Sequence, residues 1–180
     1  LGGAAKDDVW AANDNADIVR YTGVSFSTMG NPMLNPIRGI YARNNTEAWF
    51  VGDKVQLYQW TPSNSFVSKM VSGVSSTVNY LAISGVPGTG DIWLVGTSGT
   101  AARWNGSSWT KIDALTTRNL TSVVAIANDN VWLVGDGGTV RHWNGTSMET
   151  PNIGVNDPLP TTNYSALNRI WAASATDIWA

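Results

Sequence analysis

Asp91-Ile-Trp-Leu-Val-Gly-Thr-Ser-Gly-Thr-Ala-Ala-Arg-Trp-Asn-Gly-Ser-Ser-Trp109 is the pattern from which the rest of the chain is built. An apolar strand runs into a glycine-bearing turn, a second strand ends in tryptophan, and an Asn-Gly turn leads to a third. Weaker copies surround Trp10, Trp49 and Trp132, and the beginning of another surrounds Trp179. In each full copy an aromatic follows the key tryptophan by eleven residues: Tyr21, Trp60, Trp104 and Trp143. An odd offset has its midpoint between two residues, which predicts an antiparallel hairpin closed by a two-residue turn. The midpoints are Asn15-Ala16, Lys54-Val55, Ser98-Gly99 and Gly137-Gly138. In that register the two aromatics are expected to face each other across the hairpin.

The surrounding sequence repeats the same grammar. Val24-Ser-Phe-Ser-Thr-Met29 alternates as a strand does, and Gly30-Asn-Pro32 and Asn35-Pro36 close the first unit. Ile37 to Ala42, Val78 to Ile83 and Leu120 to Ile126 open the next three, and Leu167 to Ala172 opens a fifth. The key tryptophans are 39, 44, 39 and 47 residues apart. That is the period of four-stranded propeller blades, and no segment carries helical periodicity. The expected fold is all-β: a β-propeller of four-stranded antiparallel blades, with four recognisable repeats and the start of a fifth. The repeats are placed at about 1–34, 37–70, 78–113, 120–150 and, partially, 166–180, as one propeller domain or fragment.

Composition narrows the functional classes. A net charge of −2, with no run of Lys or Arg, gives no basic footprint, so no nucleic-acid partner is expected. No apolar run has the length a membrane-spanning helix needs. With no cysteine, disulfides, thiolate metal sites and cysteine nucleophiles are excluded together. Low charge with much Asn, Thr, Ser and Gly suits a secreted or cell-surface protein. Asn-x-Ser/Thr sequons begin at Asn44, Asn105, Asn119, Asn144 and Asn163, and read here as turns.

The apolar strand, then Asp-[Val/Ile]-Trp-x-Val-Gly, then Gly-Thr-x-x-x-Trp-Asn-Gly-x-x-Trp resembles repeats of bacterial β-propellers. It is similar to the photosystem II assembly factor-like proteins and the bacterial-neuraminidase-repeat superfamily. Asp91 to Gly96 and Asn130 to Gly135 match best. Glu47 and Asn130 replace the Asp, Asn13 replaces the Gly, and Thr61-Pro62 replaces the Asn-Gly. Arg103-Trp-Asn-Gly-Ser-Ser-Trp109 is a degenerate relative of the neuraminidase Asp-box. The resemblance implies that this box is a structural hairpin.

Nine of the ten tryptophans occupy repeat positions, which predicts inter-blade core. Trp109 and Trp171 are the two with a route to the surface; with Asn105 and Asn144 they are the candidate ligand-binding residues. Asp8, Glu47, Asp91 and Asp177 precede the strand and are expected to cap it through backbone N–H groups. Asn13 to Asp17 spaces Asx residues as calcium loops do, but lacks their glycine and distal glutamate. His142 is the sole histidine and cannot build a multi-histidine zinc site. Gly85 to Gly90 precedes a strand rather than a helix, so it cannot cradle phosphate as helix-capping loops do. Arg38, Arg103, Arg141 and Arg169 do not share a repeat position.

These readings lead to a non-enzymatic ligand-binding or scaffold propeller, extracellular or at the cell surface, with no cofactor and no metal. The expected partner is a protein or glycan at one rim, contacted by Asn31 to Asn35, Gly85 to Gly90 and Pro151 to Asn163. The alternatives are a lectin-like propeller or a neuraminidase-like glycoside-active enzyme. Leu1 to Trp10 and Ile170 to Trp179 copy one strand pair, so the chain is expected to belong to a larger propeller. The isolated chain is then expected to associate with flanking blades or other copies.

Overall fold

The computed structural model describes residues 1–13, 15, 17–30, 32–151 and 165–180. Strands β1 (Gly2–Ala5), β2 (Asp8–Ala12), β3 (Ile18–Tyr21) and β4 (Phe26–Met29) form the first antiparallel sheet. The second holds β5 (Ile37–Asn44), β6 (Glu47–Gly52), β7 (Leu57–Thr61) and β8 (Ser65–Ser68). The third holds β9 (Tyr80–Gly85), β10 (Ile92–Gly96), β11 (Thr100–Trp104) and β12 (Trp109–Asp113). The fourth holds β13 (Leu120–Ala127), β14 (Asn130–Gly135), β15 (Thr139–Trp143) and β16 (Met148–Glu149). A fifth pair, β17 (Trp171–Ser174) and β18 (Asp177–Trp179), follows. Chain order equals spatial order within every sheet. The first strands pack in succession, β1 on β5, β5 on β9, β9 on β13 and β13 on β17, which arrays the sheets as blades.

The hairpin register differs from the sequence expectation by one residue. Trp10 lies opposite Arg20, Trp49 opposite Gln59, Trp93 opposite Arg103 and Trp132 opposite His142. The turns themselves sit where the midpoints placed them. Ser98 and Gly99 both have left-handed φ (57° and 66°), and the Thr100 N–H donates to the Thr97 carbonyl at 3.2 Å. Lys54 and Val55 do the same at φ 54° and 55°, and Gly137 and Gly138 at 61° and 66°. What shifts the register is one extra residue ahead of each turn, a bulge at Asp53, Thr97 or Asp136. The N–H of that residue turns to the start of the blade's first strand. It donates to Pro36 O (3.3 Å), Asn79 O (2.9 Å) and Asn119 O (2.9 Å) respectively.

That same carbonyl explains the glycine of the repeat. A Cβ on Gly52, Gly96 or Gly135 would lie 2.4, 2.3 or 2.0 Å from those oxygens, so no side chain fits. In the first blade, where Asn13 replaces the glycine, Asn13 Oδ1 instead accepts the backbone N–H groups of Asn15 and Asp17. The calcium-like spacing there is therefore a hairpin turn, and no cluster of metal-binding side chains exists among the described residues.

A one-residue slip turns alternate side chains to opposite faces. The key tryptophan and the aromatic that follows it consequently serve two different blade interfaces. Trp10 meets Trp60 of the second blade at 4.8 Å between ring centroids, Trp49 meets Trp104 of the third at 5.2 Å, and Trp93 meets Trp143 of the fourth at 5.3 Å. Trp10, Trp49 and Trp93 are fully buried. Each removes enough surface to contribute roughly 4–6 kcal/mol of transfer free energy as an upper bound. The core is thus a row of inter-blade layers, one between each neighbouring pair.

Candidate functional site

Antiparallel blades divide their connections between two rims. First-to-second and third-to-fourth strand turns lie on one rim; second-to-third turns and blade-to-blade links lie on the other. The three loops expected to share a ligand therefore separate: Gly85 to Gly90 joins β9 to β10, whereas the other two join successive blades. Asn31 and residues 152–164, Asn163 included, lie outside the described residues.

The acidic repeat position lies on the first rim, at the start of each second strand, and does not cap backbone N–H groups as expected. Its partners are side chains twelve and two residues on. Asp8 accepts Arg20 Nε at 2.8 Å, and Asp91 accepts Arg103 Nε at 3.0 Å and also its Nη2. Glu47 accepts Gln59 Nε2 (2.8 Å) and the Trp49 indole N–H (2.9 Å). Asn130 meets His142 Nε2 (3.1 Å) and the Trp132 indole N–H (2.6 Å), and Asp177 takes only the Trp179 indole at 2.7 Å. Where the cross-strand partner is arginine, the indole N–H of Trp10 or Trp93 has no partner among the described residues. The charge-assisted bond outcompetes the neutral one. Sequence spacing missed these pairs because they follow the bulged register.

Two cavities open side by side on this rim, of about 460 and 490 Å3. The turns after β1, β5 and β9 wall them, and both share Ala4, Arg43 and Asn44. Arg43 Nη1 donates to Glu47 at 2.8 Å, and the side chain remains 37% exposed. Arg20, at the deep end, is held by Asp8 and by the Asn45 carbonyl (2.7 Å), with its guanidinium 4.9 Å from Trp10 and 4.8 Å from Trp60. Tyr41 lies across Gly85, where a Cβ would sit 2.0 Å from the ring. Burial above all raises the Tyr41 pKa, with Glu47 adding to the shift and Arg43 opposing it. At neutral pH the phenol is therefore a hydrogen-bond donor. The candidate loop Gly85 to Gly90 marked one wall of this groove in the sequence, since Gly85, Pro87, Gly88 and Thr89 line the second cavity, but the ring seated on Gly85 emerges only in the structure.

The sequence candidates fall elsewhere. Trp109 is 8% exposed, packed 5.6 Å from Trp49 and 5.9 Å from Trp104, so its faces belong to the core. Trp171 is 61% exposed. Asn105 Oδ1 accepts the N–H groups of Ser107 and Ser108, and Asn144 Oδ1 those of Thr146 and Ser147. Both asparagines build turns, and the structure does not bring the four residues together. The arginines also disperse. Arg103 pairs with Asp91, Arg38 with Asp53, and Arg141 donates to the carbonyls of Ala114 and Leu115. Arg38 and Arg169 both line a cavity of about 390 Å3 along the first strands.

No family model matches the chain, and no curated protein matches it in sequence. Solved structures do. The chain is similar to the extracellular domain of a putative one-component system from B. thetaiotaomicron (TM-score 0.71, 15% identity, 99% of this chain and 25% of that one). It is similar to the WD40 β-propeller domain of Doa1 (TM-score 0.69, 11% identity, 97% and 57%). It is also similar to YCF48 bound to a D1 peptide (TM-score 0.54, 16% identity, 63% and 39%). At such identities the likeness shows the fold: the chain is a β-propeller, spanning between a quarter and rather more than half of each of these structures.

Proposed function

We propose that the chain is a non-enzymatic protein-binding propeller whose rim groove between the first three blades takes an extended peptide. The observation that carries this reading is the continuity of the two cavities through Arg43, which gives one open polar trough across adjacent blades. Arg43 and the Tyr41 hydroxyl supply donors, and the walls supply backbone and Asn44. The non-enzymatic reading is supported by the engagement of three rim carboxylates: Asp8 by Arg20, Glu47 by Gln59 and Arg43, and Asp91 by Arg103. The peptide bound by YCF48 supports a peptide ligand, and the repeat pattern supports kinship with the photosystem II assembly factor-like propellers. The B. thetaiotaomicron extracellular domain supports a place outside the cell.

The test is a displayed peptide library selected on the chain, with affinities then measured by calorimetry. Arg43→Ala is expected to weaken selected peptides about tenfold or more, and Trp171→Ala to leave them unchanged. Selection of no peptide, or binding indifferent to Arg43, overturns the reading. The second reading, a glycan-binding propeller, is favoured by the exposed ring of Trp171. Glycan-array binding lost in Trp171→Ala would establish it, and turnover of chromogenic glycosides would overturn the non-enzymatic assignment.

A further inference from the structure

The links that join one blade to the next repeat a scheme of their own on the second rim, opposite the groove. Each sets an exposed apolar residue beside a buried one: Leu34 beside Met33, Met70 beside Val71, and Leu115 beside Ala114. Met33, Val71 and Ala114 each belong to one of the inter-blade layers, so they anchor their neighbours in place. Leu34, Met70 and Leu115 are 92%, 82% and 52% exposed. Leu115 also holds a left-handed φ of 53°, which a bulky side chain avoids. Asp113 Oδ1 accepts its N–H and Arg141 Nη2 donates to its carbonyl, both at 2.9 Å. Cations stand among the three. Lys69 precedes Met70, and Arg118 follows Leu115 in its link. Lys54 lies in the turn that meets Val78 and Asn79, and Lys111 Nζ donates to the Gly73 carbonyl at 3.3 Å. None of these four cations has a carboxylate within ion-pair distance among the described residues. The acids of this rim are engaged: Asp17 by Asn13, Asp53 by Arg38, Asp113 by the Leu115 N–H and Asp136 by Asn119. On the first rim the balance reverses, with Asp7 and Asp129 exposed and outside any ion pair among the described residues.

We infer that the second rim docks on an anionic lipid bilayer. Leu34, Met70 and Leu115 enter the headgroup layer, and Lys54, Lys69, Lys111 and Arg118 face its phosphates. Two features select a bilayer over a protein partner. The apolar side chains stand singly, one in each of three successive links, whereas the centre of a protein interface is a contiguous apolar patch. A layer of lipid takes separated side chains at once, and its hold grows with apolar insertion and with attraction to anionic headgroups together. The charge also matches, because unneutralised lysines gather on the rim that carries the apolar tips while the opposite rim is acidic. Docking in this orientation turns the Arg43 groove away from the bilayer and leaves it open. The inference stands whatever that groove binds.

The chain has no cysteine, so Met70→Cys carries an environment-sensitive fluorophore at one known place. The labelled chain is titrated with vesicles of phosphatidylcholine containing about one-third phosphatidylglycerol, and co-sedimentation of the unlabelled chain reads binding independently. Saturable binding with a blue shift of the label is expected, lost when phosphatidylglycerol is omitted and weakened by salt. The same label at Val24→Cys, as exposed as Leu34 but on the first rim, should not shift. Leu34→Ser, Met70→Ser and Leu115→Ser together should weaken binding about tenfold or more. Lys54→Gln with Lys69→Gln should weaken it about fivefold or more. All five side chains lie at the surface, and unchanged melting temperatures check that the variants fold. No binding to the anionic vesicles, equal binding to neutral ones, equal shifts of the two labels, or unchanged binding by the triple serine variant would each overturn the proposal.

Discussion

Gly135 and Gly30 show how differently one residue type is constrained in this chain. Gly135 has extended φ (−173°), so any residue suits its backbone, yet the Asn119 carbonyl leaves no room for a Cβ. Gly135→Ala is expected to destabilise by about 3 kcal/mol through forced backbone displacement. Gly30→Ala, with nothing within 4 Å, should stay within about 0.5 kcal/mol. Urea denaturation of the two variants measures the contrast, and equal effects would refute the close-approach account. Tyr80 sets a pH limit of a similarly local kind. Burial pushes its pKa up to about 12 from an unfolded value of 10. The folded state thus keeps a proton that the unfolded state has lost, and stability present below pH 10 declines as pH rises towards 12. Thermal melts from pH 9 to 12 should show that loss, and Tyr80→Phe should reduce it.

At the scale of the element, the cross-strand pair is the unit exchanged between blades. It is Asp8 with Arg20, Glu47 with Gln59, Asp91 with Arg103, and Asn130 with His142. Removing one member of a buried pair strands the other charge. Arg103→Ala should therefore destabilise by about 3 kcal/mol, whereas Asp91→Asn with Arg103→His, the fourth blade's own pair, should recover most of it. A double-mutant cycle in urea reads the coupling, and simple additivity would show that the two residues act independently. These pairs also mark how far the sequence could be read. Blade count, strand order and turn positions follow from the tryptophan period and the Ser98-Gly99 and Gly137-Gly138 midpoints. The register did not follow, because a bulge is one residue with no side-chain signature of its own. Its cause, the Asn79 or Asn119 carbonyl, lies elsewhere in the chain. That single slip turned the expected Trp93–Trp104 pair into two separate blade contacts and moved Trp109 from candidate platform to core. Most of the groove was hidden for a related reason: Ala4 comes from the first blade, Tyr41 and Arg43 from the second and Gly85 from the third, and they meet only when those blades pack.

Across the whole molecule, stability resides at interfaces between neighbours rather than in one shared centre. Three separate apolar layers, each built on a Trp-to-aromatic contact, join four blades whose sheets are otherwise self-contained. Arrays of this kind behave as nearest-neighbour systems, in which unfolding stays cooperative only while each interface outweighs the difference in stability between the units it joins. The middle interface is the informative one, because Trp49 is fully buried against both Trp104 and Trp109. Trp49→Ala should remove roughly 3–5 kcal/mol there and leave the outer two interfaces intact. The expected consequence is decoupling as well as a lower midpoint. Blades one and two should unfold apart from blades three and four, so far-UV circular dichroism and tryptophan fluorescence transitions, coincident in the unmodified chain, should separate. Trp171→Ala, at an exposed ring, should leave both coincidence and midpoint unchanged. If Trp49→Ala instead melts in one sharp transition by both probes, cooperativity in this propeller does not depend on that interface, and coupling must run along the contacts between the first strands β5 and β9.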